Sequence, residues 1–163
     1  MSLSLPGVVH TLFGLLALIL AMVLIAKHQR ILLNHPMGKL YALFTAITAG
    51  TSLFIFNHGG LNPAHILAVL TLVALLGAIV LSLFKVFGTI TPYVQLTLMS
   101  STLLFHLLPA ATEVLMRFPV DEPLVENLED PLLHQTFLVI FILFLLLLMW
   151  QIAKLKKKTI YIR

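Results

Sequence analysis

Cysteine is absent from this 163-residue chain, so disulfides, thiolate metal centres and cysteine nucleophiles are excluded before any motif is sought. Charge is nearly as scarce: Asp, Glu, Lys and Arg make up 10% of the residues, against about a quarter in ordinary soluble domains. There is no positive charge ahead of the first apolar run, which argues against a signal peptide and leaves that run as a helix. Phosphate-binding glycine loops, nucleophile-elbow serines, His-Glu-x-x-His and Cys-x-x-Cys-His are missing, which removes the commoner enzyme classes and covalent haem attachment. What is present is apolar: 60% of the residues are hydrophobic and mean hydropathy is +1.08. Such a chain belongs in a lipid bilayer as a single all-α polytopic domain covering residues 1–163.

Five apolar stretches reach the ~20 residues needed to cross ~30 Å of hydrocarbon. They cover about 6–26, 38–56, 64–84, 89–116 and 132–153. Basic residues fall in alternate connections: Lys27, Arg30 and Lys39 in the first, Lys85 in the third, and Lys154, Lys156, Lys157, Lys158 and Arg163 after the last span. The second connection has none, and the fourth has Arg117 against Asp121, Glu122, Glu126, Glu129 and Asp130. By the positive-inside rule this places the N-terminus outside and the C-terminus in the cytoplasm, with the bacterial cytoplasmic membrane as the expected location. A net charge of +4 confined to segment ends is no nucleic-acid footprint.

The fourth span organises the rest. Its polar residues Thr91, Gln95, Thr102, His106 and Glu113 are separated by sums of three and four, so they share one helical face. Pro109 and Glu113 mark the end expected to leave the bilayer, which puts His106 one to two turns inside the boundary. The first span carries His10, Gly14, Ala17 and Ala21 on one side, small residues that admit a close neighbour or a flat ligand. Tyr41, Thr45, Thr48 and Ser52 line the second, and Ala64, Ala68, Thr71 and Ala78 the third. From Phe137 to Trp150 the fifth has no polar side chain but the indole, so it is expected as a peripheral helix beside an antiparallel four-helix bundle.

His35-Pro-Met-Gly38-Lys-Leu-Tyr41, followed by Gly60-Leu-Asn-Pro63-Ala-His65, resembles an uncharacterised family of small bacterial polytopic membrane proteins known only as a domain of unknown function. Its recurring features are a His-x-x-Gly-x-x-Tyr helix start and a histidine opening the next helix, here His35, Gly38, Tyr41 and His65. Relatives often open the following helix with a histidine; this chain has Pro92 there. The resemblance implies a compact helical bundle and no particular reaction.

The topology places His10, His58, His65, His106 and His134 in the outer half and His28 and His35 in the inner. His10, His65 and His106 come from three helices and are the candidate cofactor ligands; with Glu113, and His134 at the rim, they form the candidate metal set. Two facing imidazoles would suit a b-type haem, with Gly14 making space for the porphyrin and Phe13 and Phe105 lining it; three with a carboxylate would suit zinc or copper. Proton handling or quinone contact needs no resident cofactor. The contrasting expectation is a non-catalytic structural or accessory subunit, whose polar lines pack helices against one another and against a membrane-protein partner or a second copy.

Overall fold

The computed structural model describes residues 5–56, 60 and 62–160, with side chains as far as Lys157. His58, Gly59 and Arg163 lie outside the described residues. Among those described, all regular structure is helical: α1 Leu5–His28, α2 Pro36–Ser52, α3 Pro63–Leu83, α4 Thr91–Leu115 and α5 Pro131–Ile160, with a single 3-10 turn, Gly88–Ile90, leading into α4. Four of these, α1, α3, α4 with its leading turn, and α5, are long and apolar enough to cross a membrane. The chain is therefore a multi-pass membrane protein.

Local signals explain the starts. Proline opens α2, α3 and α5 and stands second in α4, where its missing N–H is no loss and its fixed φ suits the first turn. His35 caps α2, its Nδ1 accepting from the Met37 N–H at 3.2 Å. Asn62 caps α3 through the Ala64 N–H at 2.9 Å.

The ends differ from the sequence reading chiefly in two places. The second span, expected over 38–56, ends at Ser52, because Leu53–Phe56 make an apolar turn that hydropathy cannot tell from helix. Its 17 residues rise only ~25 Å. The fifth, expected to stop at 153, continues to Ile160, since lysine is a good helix former and its charge matters only to lipid. Pro109, expected near the end that leaves the bilayer, lies in the last two turns of α4, which continues past it to Leu115.

Successive helices run in opposite directions. Gly14 of α1 faces Thr48 of α2, Gln95 of α4 bonds the Ala78 carbonyl of α3 at 3.1 Å, and Ser100 of α4 bonds Gln151 of α5 at 2.7 Å. α2 and α4 are parallel, in a register where residue i of α2 meets residue i+61 of α4. Small residues set the spacing: Ala17 and Ala21 of α1 and Ala78 of α3 are fully buried beside Tyr41, Leu75 and Met99. Far more large apolar side chains are exposed than fully buried, as lipid favours and water would not.

This alternation sorts the charges. All six acidic residues lie at the end formed by the start of α1, the end of α2 and the α4–α5 connection, and Arg117 joins them. Every other described basic residue lies at the opposite end. We call these the acidic end and the basic end.

Candidate functional site

The buried face of α2 is the scaffold on which the polar residues meet. Tyr41, Thr45 and Thr48 are all buried there, rising ~10 Å toward the acidic end. At the deepest level the Tyr41 hydroxyl lies 2.7 Å from Thr102 Oγ1. Thr102 directs its own proton to the Met99 carbonyl at 2.7 Å, so Tyr41 is the donor between them. One turn further, His106 Nε2 meets Thr45 Oγ1 at 3.1 Å, and the Tyr41 and His106 rings stand edge to face with centroids 6.3 Å apart. Next, on the other flank of α2, His10 Nδ1–H donates to the Thr48 carbonyl at 2.9 Å. Two imidazoles from α1 and α4 thus bracket one turn of α2, joined to it by separate hydrogen bonds.

Each position of the His35-x-x-Gly38-x-x-Tyr41 pattern has a mechanical part in this arrangement. His35 caps the helix, and Tyr41 ties α2 to α4. Gly38 lets the Leu32 carbonyl press onto the helix backbone, where a Cβ would overlap it. The Asn62-Pro63-Ala64-His65 sequence is likewise a cap: His65 Nδ1 lies 3.3 Å from the Asn62 N–H and 3.1 Å from its Oδ1. His65 is buried against Phe56, with ring centroids 4.9 Å apart, and its Nε2 has no hydrogen-bond partner. Thr48 Oγ1 is the other orphaned polar atom toward the acidic end.

No family model, curated protein or solved structure matches this chain. The site is therefore read from its own geometry.

Of the five residues expected to form a metal set, α2 brings His10 and His106 to one stretch. The full set does not assemble: among the described residues no group of three His, Cys, Asp or Glu side chains is placed to hold a metal ion. His65 is engaged in its cap. Glu113 is 57% exposed and ion-paired with Arg117 one turn away, because the register puts it level with Ser52, the last residue of α2, where no neighbour remains to bury it. His134 is exposed, donating from Nε2 to the Leu128 carbonyl at 3.1 Å, part of the connection that precedes α5. The space beside Gly14, expected to admit a porphyrin edge, is taken by Thr48, whose Cγ2 would lie 3.3 Å from an added Cβ.

Two sets of polar contacts escaped the sequence reading. Gln151 of α5, which follows directly on an apolar run, is buried and accepts from Ser100 Oγ. The hydroxyl line of α2 reaches beyond its own helix: Tyr41 and Thr45 bond across to α4. The signal for the second was in the sequence: Tyr41 and Thr45 repeat the spacing of Thr102 and His106.

Proposed function

We propose that this chain is a non-catalytic structural or accessory subunit of the bacterial cytoplasmic membrane, with α1–α4 as an antiparallel bundle and α5 on its flank. The observation that carries this reading is that His10, His106, Tyr41, Thr45 and Thr102 are engaged in bonds between helices, and His65 in a helix cap. In hydrocarbon such bonds act as specific adhesive between segments that the hydrophobic effect cannot sort, each contributing about 0.6–2 kcal/mol. The partner is a second membrane protein or another copy of this chain.

The separation of charge supports an orientation with the acidic end outside and the basic end in the cytoplasm. A reporter active only outside the cytoplasm is expected to be active when inserted after Glu126 and silent when fused after Arg163. Activity at both positions would reject the five-crossing orientation.

A second reading, a histidine-held b-type haem or a zinc or copper ion handled for electron transfer, is favoured by one observation: His65 Nε2 is buried and unpartnered, so one imidazole nitrogen toward the acidic end is uncommitted. An absorption spectrum and metal analysis of the protein purified from membranes separate the two. The subunit reading expects no Soret band and no stoichiometric metal, with cross-linking capturing a partner or a homo-oligomer. A Soret band or one metal per chain, lost in His65→Ala, would establish the cofactor reading instead.

A further inference from the structure

Arg30 is the one described basic side chain that is not exposed. It lies just beyond α1, after Gln29, whose φ of +64° turns the chain back on itself. The turn sets Arg30 in a cleft of about 160 Å³ with Ile31, Asn34, Pro92, Gln95 and Leu96 among its walls, between the α1–α2 connection and the first turns of α4. That is room for about five waters at ~30 Å³ each.

Three features make this cleft suited to an anion. First, the half-buried guanidinium has no carboxylate to meet, since all six acidic residues lie at the acidic end of the molecule. Its burial lowers the Arg30 pKa from the usual value, the mark of a cation short of solvent, yet arginine keeps its charge at any physiological pH. Second, α4 starts here. Pro92, Gln95 and Leu96 of its first turns form one wall, which brings the positive end of the helix dipole close to the cleft, although the Thr91 N–H is already bonded to the Gly88 carbonyl. Third, the Asn34 side-chain amide, a neutral donor, is among the walls; Gln95 has its Nε2 committed to the Ala78 carbonyl at 3.1 Å and serves only as a wall.

We propose that Arg30, with Asn34 and the amino end of α4, binds a phosphate-bearing anion at the basic end of the molecule. The planar guanidinium fork pairs with two phosphate oxygens at once, which an ammonium cannot do. The cleft opens just past the last turn of α1, at the level where lipid headgroups lie, so the phosphate of an anionic phospholipid is at hand; free phosphate has the same chemistry.

The test uses the full chain in zwitterionic detergent. Native mass spectrometry measures adducts of phosphatidylglycerol against phosphatidylcholine, and thermal unfolding measures the effect of inorganic phosphate against chloride at equal ionic strength. Wild type is expected to retain phosphatidylglycerol selectively, Arg30→Met to bind it about tenfold more weakly, and Arg30→Lys to fall between. Lys85→Met, which removes an exposed charge at the same end, should bind as wild type does. Lipid adducts without a phosphate effect identify a headgroup site, and an effect of phosphate alone identifies a site for the free anion. Equal binding by Arg30→Met and Lys85→Met overturns the proposal, as does wild type showing neither selectivity. Circular dichroism confirms that Arg30→Met is folded; if it is not, Arg30→Lys decides, and unchanged affinity there overturns the assignment to the guanidinium.

Discussion

Gly38→Ala is expected to destabilise the protein by about 3 kcal/mol, as overpacking against an element that cannot yield does. The added methyl would overlap the Leu32 carbonyl and crowd the Leu33 nitrogen, and these are backbone atoms. Relief therefore requires moving the whole connection between α1 and α2, which carries the His35 cap and the buried Ile31. Gly50, in the same helix, has nothing within 4 Å of the corresponding position. Gly50→Ala should accordingly gain up to ~1 kcal/mol of helix propensity. Unfolding titrations in mixed micelles, followed by circular dichroism, give both values, and equal effects at the two glycines would show that the Leu32 contact is not what fixes α2.

His106→Ala should cost about 2–3 kcal/mol, because it opens a cavity beside Tyr41 and deprives Thr45 of its partner on α4. Glu113→Gln, on the same face of the same helix, should fall within about 0.5 kcal/mol of wild type, since an exposed i,i+4 ion pair contributes little. The same unfolding measurement applies. A Glu113 effect as large as that of His106 would mean that the polar face of α4 remains buried over its full length.

That contrast shows where sequence reasoning stops. Helical periodicity correctly aligns Thr102, His106 and Glu113 on one face, but periodicity has no term for where the neighbouring helix ends. α2 stops level with Glu113, so the line is buried at His106 and solvated two turns later. The apolar runs revealed α1, α3, α4 and α5, because length and hydropathy suffice for a lipid-spanning helix. They overran α2, because Phe54 and Phe56 are as apolar as any helical residue, and they cut α5 short at its lysines. His65 looked like an inward-pointing ligand because capping boxes are sought as Ser or Thr followed by Glu or Gln; Asn62 and His65 do the same work with different groups. Gly14 as a ligand slot and Gly14 as a contact for Thr48 leave the same trace in a sequence.

The length of α2 has a consequence for the bilayer itself. Its 17 residues fall ~5 Å short of an average hydrocarbon core, whereas the 30 residues of α5 reach ~45 Å, well beyond it. Leu40 and Leu43 of α2 are exposed, so if α2 crosses with the other helices, as proposed, acyl chains along that flank would compress to match it at a fraction of a kcal/mol per Å. The exposed rings of Phe54 and Phe56 follow directly on the end of α2. In the proposed five-crossing arrangement this difference in length would make the hydrocarbon layer thinner beside α2 than beside α5, with His10 and Thr48 toward the end where α2 stops.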